Sequence, residues 1–335
     1  MDVKYLKEKD YSSWDDFVDL SLQGHFWNYS WWINIVTDND FRICALFDDH
    51  QRIVAGIVLP FYSTKRISMP DFTQMLGILF EDFTLQNNIR LQKQLTHQKE
   101  YTRLLFDFIE RDFRSFDINF SYNYTYWLPL FWRGYQQTTR YTYVIDMKDY
   151  RPEDEFSRFS KGHKWIINRA RRNPDLSICE TDDIEEYINE SAKTFERRGV
   201  RRPYDVEMLR SLHAEIQKRG VGKLFKIQDS HGNIHGIEYY LYTNREAYYW
   251  LGASDTSLRD SGGHTFLTWH AIKYFSSRVR FFNFCGSMIE DVEKNFRNFS
   301  AVPIPYYNVR RLARRDKMSN IIGFYFYRLI QIFCK

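Results

Sequence analysis

Hydrophobic and polar positions divide the chain into two runs of elements. Between Trp14 and Val36 two short helical patterns fit, with aromatics clustered in HFWNYSWWINIV. FRICALFDD and RIVAGIVLPFY then read as two strands, with the charged DDHQ as their turn. Apolar residues at Leu91, Leu95, Leu104, Leu105, Phe108 and Ile109 predict one long helix across 85–114, and 117–120 predicts a short strand. WLPLFWRGYQQTTRY carries Pro129 and Gly134 and marks a turn-rich crossing.

The second run opens with YTYVIDM as a strand. Pro152, followed by acids, marks the start of a helix that runs towards Asn173. LSICE is a strand, Thr181 or Asp182 caps a helix through Arg198, and Asp205 caps another to about Lys218. KLFKIQD, IHGIEYYLYT and REAYYWLGAS are three strands joined by tight turns, of which SHGN suits a hairpin because glycine tolerates positive φ. A helix over about 264–277, the strand RFFNFCGS, the helix MIEDVEKNFRNFSA and the strand IPYYNVR complete the run. Three antiparallel strands therefore lead into a strand–helix–strand crossover, which must be parallel and right-handed. The expectation is an α/β chain in units 1–140 and 141–309, each a mixed, mostly antiparallel sheet flanked by helices, with a basic amphipathic tail over 310–335.

Composition narrows this modestly. Aromatics make up 18% of 335 residues, which suits sheet-rich packing, and a net charge of +4 is too small to argue for nucleic acid alone. Cys44, Cys179, Cys285 and Cys334 form no C-x-x-C pair, so reduced thiols are expected rather than a disulfide framework. The charged opening MDVKYLKEKDYSSW has no signal-peptide core, and no uncharged apolar segment approaches the ~20 residues of a spanning helix. The expected location is the cytoplasm.

The ordered set YYWLGAS, LRDSGGHTFLTWHAI and FFNFCGSMIEDVEKNFRNFSA, with Gly286, Ser287, Phe296 and Phe299, resembles the acyltransferases of the GNAT superfamily, specifically the FemAB-like branch. YTYVIDM with FSRFSKGHKWIINRARRN resembles the first strand and helix of the same catalytic unit. The likeness covers about 141–309 well and the N-terminal half in outline. It implies tandem GNAT-like units and transfer of an acyl group to an amine of a cell-envelope polysaccharide or peptidoglycan precursor. The implied donor is acetyl-CoA or another acyl-CoA, or alternatively aminoacyl-tRNA. The long coiled-coil arm of some members has no counterpart here.

In such enzymes a loop of pattern R/Q-x-x-G-x-G/A holds the CoA pyrophosphate on amides at a helix N-terminus. Arg259, Ser261, Gly262, Gly263 and His264 fall on it, with a histidine where a small residue is expected. The same letters also suit a plain strand–helix turn. Ser287, after Gly286, is either a donor contact or a helix N-cap. Glu238, within an aromatic strand, is the candidate general base, because burial raises a carboxyl's pKa; the alternative places it on the solvent face of an alternating strand. Asp255 is a second base candidate or the cap of the next turn. Tyr239, Tyr240, Tyr248 and Tyr249 are proton donors or packing residues. Cys285 reads as an inert buried thiol.

Three basic clusters are candidate phosphate contacts: Lys164, Arg169, Arg171 and Arg172; Arg197, Arg198, Arg201 and Arg202; and 310–317. From the first two, Lys164, Arg169, Arg201 and Arg202 are the candidate substrate contacts. The third feeds IIGFYFYRLIQIFCK and matches a peripheral membrane anchor, or a helix docked on the body of the protein. His231 with His235, and His264 with His270, are poorly spaced for metal binding, so no metal is expected. A non-catalytic, membrane-associated scaffold is the rival outside the enzyme class.

Overall fold

The computed structural model describes residues 1–313 apart from Thr64, 86–88, Arg198, Val200 and Ser287. The first run comprises β1 (Asp2–Tyr5), α1 (Tyr11–Leu20), α2 (Ser30–Thr37), β2 (Phe41–Phe47), β3 (Ile53–Ser63), β4 (Arg66–Ser68), β5 (Ile78–Phe80), α3 (Leu91–Asp112), β6 (Ser115–Asn119) and α4 (Leu128–Phe131). The second starts with β7 (Gln136–Asp146), α5 (Pro152–Phe156), α6 (Lys161–Arg171), β8 (Ser177–Glu180), α7 (Ile184–Arg197) and α8 (Val206–Arg219). It continues with β9 (Gly222–Gln228), β10 (Ile234–Tyr242), β11 (Glu246–Ala253), α9 (Gly263–Phe275), β12 (Phe281–Asn283), α10 (Glu290–Asn298) and β13 (Val302–Arg311). Contacts divide the chain into Met1–Arg140 with the segment from Tyr306, and Tyr141–Pro305.

In the first unit β1, β2 and β3 form an antiparallel meander, and β3 also pairs antiparallel with β4 and β5. β4 runs parallel to β6, which pairs antiparallel with β13 from Phe116↔Arg311 to Asn119↔Asn308. β2 is buried at six of seven positions, which is why FRICALF is apolar nearly throughout instead of alternating.

The second unit has the strand order β7-β12-β11-β10-β9-β8. Every pair is antiparallel except β11–β12, joined through α9 as the crossover rule requires. Its core packs Trp269 and Phe275 of α9 against Tyr240, Phe282, Phe159 and Phe299. One detail of this sheet positions the site. β11 pairs with β12 only through Glu246, Ala247 and Tyr248, whereas it follows β10 as far as Ala253.

Several boundaries differ from the sequence reading. The helix expected from Pro152 to Asn173 is two helices, because Ser160 adopts an extended backbone and its hydroxyl accepts the N–H of His163, restarting the helix. β7 begins at Gln136, inside the polar stretch read as a turn region, and its first positions are mostly exposed. β1 lies in a segment too charged to read as a strand. The strand containing IPYYNVR pairs with β6 in the first unit, whereas its position after α10 had suggested that it closes the second. Of the tail over 310–335, only 310–313 fall among the described residues. No helix among them is long and apolar enough to cross a membrane.

Candidate active site

Glu238 lies in the middle of β10, and its side chain is fully buried. β10 is a central strand covered by α9 on the face that carries Glu238, so its alternation places a carboxylate in the core instead of in water. Burial alone costs a carboxylate several kcal/mol, about enough to keep it protonated unless donors surround it. Three do. The Thr268 hydroxyl of α9 donates to Oε1 at 2.6 Å, the Tyr249 hydroxyl of β11 donates to Oε1 at 3.3 Å, and the Tyr240 hydroxyl donates to Oε2. Desolvation outweighs these bonds, and the Glu238 pKa is pushed up to about 8. The hydroxyls of Tyr240 and Tyr249 are held well above their usual range, also by burial, so both stay protonated donors.

His264, at the start of α9, completes the cluster. Its Nε2 lies 3.2 Å from Glu238 Oε1 and 3.3 Å from the Tyr249 hydroxyl. The side chain is about a third exposed (32%), and the desolvation it does suffer pulls its pKa down to about 4. Burial thus acts in opposite senses on the two partners and favours the uncharged pair, a carboxylic acid beside a neutral imidazole.

The loop before α9 shows how its small residues are used. Gly262 has φ +74, and a Cβ there would lie 2.7 Å from Ile166 Cγ2 on α6; at Gly263 it would lie 2.9 Å from His235 Cβ. Both glycines therefore meet a packing demand of the protein itself. The N–H of Gly262 donates to the Arg259 carbonyl, and that of Gly263 to the Ser261 hydroxyl, which also lies 2.8 Å from His235 Nδ1. The first-turn N–H groups of His264 and Thr265 make no hydrogen bond among the described residues, and Arg259 is exposed. These two amides and Arg259 are the groups that would hold an anionic donor; the His264 ring points away from them, towards Glu238.

Asp255 takes the capping role. Its carboxylate accepts the N–H of Ser257 at 2.8 Å and the Ser257 hydroxyl at 2.6 Å, and lies 3.7 Å from Lys193 Nζ. These bonds hold its pKa below the usual range, unsuited to a base near neutrality. Lys164 and Arg169 lie on α6, whose Ile166 covers Gly262; the Arg169 guanidinium stacks 4.6 Å from the ring of the exposed Trp165. Arg201 and Arg202 lie between α7 and α8, and no hydrogen bond or ion pair ties them to the other candidates among the described residues. Ser287 and Arg198 fall outside those residues. Cys285 is buried, and burial raises its thiol pKa well above the usual range. Ligand atoms of Asp175, Asp229 and His231 lie within 4.8 Å of one another. That group is mostly exposed, and the Asp229 carboxylate already accepts the N–H groups of His231 and Asn233 in the hairpin turn.

Sequence reasoning missed Thr268, Gly236, Gly252 and Glu246. Thr268 stands four residues after His264, a spacing that puts both on one helix face and was the available signal. Glu246, also buried, accepts from Asn283 Nδ2 at 2.7 Å and the Tyr248 hydroxyl at 2.9 Å.

A mixed sheet with a parallel step at β11–β12 and a helix crossing between those strands is the arrangement of a GNAT-fold unit. The family described as Acetyltransferase (GNAT) domain matches residues 160–288. Among solved structures, FemX superposes with a TM-score of 0.68 at 11% identity, covering 92% of this chain and 97% of its own. The C-terminal domain of a putative lysylphosphatidylglycerol synthetase from Agrobacterium fabrum gives a TM-score of 0.56 at 10% identity, over 93% of this chain and 95% of its own. A tandem GNAT protein from the clavulanic acid biosynthesis pathway gives 0.53 at 10% identity, over 92% and 98%. No curated protein matches by sequence. Residues 160–288 thus match a GNAT acetyltransferase family, and the chain is similar in fold to FemX and to the tandem GNAT protein.

Proposed function

We propose that the second unit transfers an acyl group from acetyl-CoA or another acyl-CoA to an amine of a cell-envelope polysaccharide or peptidoglycan precursor, with Glu238 as the general base. The observation that carries this reading is the buried Glu238, whose raised pKa suits proton transfer near neutrality. In the reaction Glu238 takes the proton of the attacking amine while the C–N bond forms and the thiolate of the donor leaves. Holding donor and acceptor together supplies much of the rest, ~7–11 kcal/mol for well-oriented reactants. The clavulanic acid pathway relative is described as a structure without AcCoA, so that donor is named for the relative and is carried to this chain only as a proposal. The pairing of β11 with β12 ends at Tyr248, and the stretch of β11 beyond it is where an extended arm carrying amides would lie in this reading.

A second reading, aminoacyl-tRNA as donor, is favoured by α6. Lys161, Lys164, Arg169, Arg171 and Arg172 carry no ion pair among the described residues, and the helix has no acid of its own. This basic face borders the 259–264 loop and suits a polyanion larger than a pyrophosphate. Calorimetry on the full chain with acetyl-CoA and with uncharged tRNA separates the readings. Saturable binding of acetyl-CoA that is weakened by Arg259→Ala supports the first; binding of tRNA alone supports the second. Neither binding would return the scaffold reading to the front. The tail over 310–335 is proposed as a peripheral contact with the inner face of the membrane, and truncation after Arg315 should abolish co-sedimentation with anionic liposomes.

A further inference from the structure

We infer that His264 is the relay through which Glu238 exchanges its proton with solvent, a positioning residue of the base and not a contact of the donor loop. The inference rests on Glu238 being the base. Glu238 has no exposed surface, nor have Tyr240 and Thr268 beyond about 1%. A base that takes a proton from a bound amine must lose it again once the amine has gone, and a carboxyl with no exposed surface in the free protein then needs a partner that can accept.

The geometry supplies one such partner. Thr268, Tyr240 and Tyr249 all approach the carboxyl with hydroxyls. Glu238 is the partner of the buried Tyr240 hydroxyl, which must therefore donate there. The imidazole Nε2, 3.2 Å from Oε1, is the one pure acceptor when the ring is neutral and carries its proton on Nδ1. The proton taken from the amine passes from Oε1 to Nε2, the resulting imidazolium gives its Nδ1 proton to water and the carboxylate is restored; exchange of the remaining ring proton with water returns the Nδ1–H tautomer for the next turnover. His264 is also the member of the pair with solvent access.

Two glycines hold this contact in place. Gly236, two residues before Glu238 on β10, lets the helix start come close: a Cβ there would lie 3.1 Å from His264 Cα and Cδ2. Gly252, the cross-strand partner of Glu238, leaves space for Tyr249, since a Cβ there would fall 2.0 Å from the Tyr249 hydroxyl oxygen. Neither glycine has positive φ. Both are small because a neighbouring member of the cluster occupies the place of a side chain. The titratable groups facing the pair are Tyr240 from β10 and Tyr249 from β11, with Tyr187 of α7 beyond it; on the loop side His235 and Asp229 approach through Ser261. Among the described residues no charged side chain is hydrogen-bonded to the pair.

Infrared spectroscopy of the full chain tests this. The Glu238 band is the protonated-carboxyl C=O stretch present in the wild type at about pH 6 and missing from Glu238→Gln. On rapid transfer into D2O the wild-type band should shift within the mixing time. In His264→Ala and in the bulk-preserving His264→Gln the shift should slow roughly tenfold or more. Added imidazole should restore the rate in His264→Ala, whose vacated space admits it. Unchanged exchange in both variants overturns the relay, as does slowing that imidazole leaves untouched. The base assignment fails in a different way: no carboxyl band would be assignable to Glu238, or Glu238→Gln would retain full transfer from acetyl-CoA.

Discussion

The opposed pKa shifts of Glu238 and His264 make an unusual stability profile, and it can be measured without knowing any substrate. The Glu238 carboxyl rises from an ordinary 4.5 to about 8 on folding, and the His264 imidazole falls from 6.5 to about 4. A raised carboxyl pKa means the folded state holds a proton that the unfolded state has lost, so its contribution is complete below 4.5 and is lost as pH climbs to 8. A depressed histidine behaves in reverse: its contribution is complete above 6.5 and is lost as pH falls to 4. Between 4.5 and 6.5 one proton gained offsets one proton forgone, and the pair contributes no slope. Above 6.5 Glu238 acts alone. At about 1.4 kcal/mol per pH unit, the interval from 6.5 to 8 removes about 2 kcal/mol.

Glu238→Gln deletes the carboxyl and leaves the histidine. The variant should gain stability from about pH 4.5 to 6.5, where the wild type is flat, and stay level up to pH 8, where the wild type declines. Urea denaturation at half-unit intervals, followed by tryptophan fluorescence, gives both curves; other titrating groups are common to the two proteins and cancel in the difference. Parallel curves from pH 5 to 8 would refute the reasoning, because they would mean that Glu238 is ionised in the folded protein throughout.

Thr268→Val keeps shape but removes the 2.6 Å donor that favours the carboxylate, so the infrared titration of Glu238 should move up by about 1–2 pH units. Gly236→Ala meets the backbone of α9 and should cost about 1–3 kcal/mol in chemical denaturation. Gly252→Ala meets the hydroxyl and outer ring carbons of Tyr249, whose ring packs on Tyr240 and Phe296; it should cost about 1–3 kcal/mol while the Glu238 titration shifts upward through loss of that hydroxyl. Asp255→Ala should cost about 0.5–2 kcal/mol as a lost cap while leaving the Glu238 titration in place, and a displaced titration would bring Asp255 into the site.

The fold was legible where pattern and topology agree. The three strands β9 to β11, the crossover through α9 and the helix α8 with its Asp205 cap follow from alternation, spacing and capping chemistry. Other elements were missed or misplaced because their signals are not local. β1 and the start of β7 are polar strands whose neighbours pair with them, and β13 joins a unit that a linear reading had left behind.

The candidate site was half legible for a related reason. Periodicity identifies a carboxylate in an aromatic strand but leaves open which face it takes; β10 becomes decisive only once α9 lies over it. Gly262 and Gly263 drew attention as a cradle, yet Ile166 and His235 fill the space that their missing side chains leave. The glycines that make space for His264 and Tyr249, Gly236 and Gly252, stood inside ordinary strand patterns with no turn or phosphate motif around them. His264 broke the loop pattern, and the break was informative in a way spacing alone did not express. A small residue at that position would leave the Glu238 carboxyl among hydroxyls alone, so the departure from the pattern and the burial of Glu238 meet in one contact, that of His264 Nε2 with Oε1.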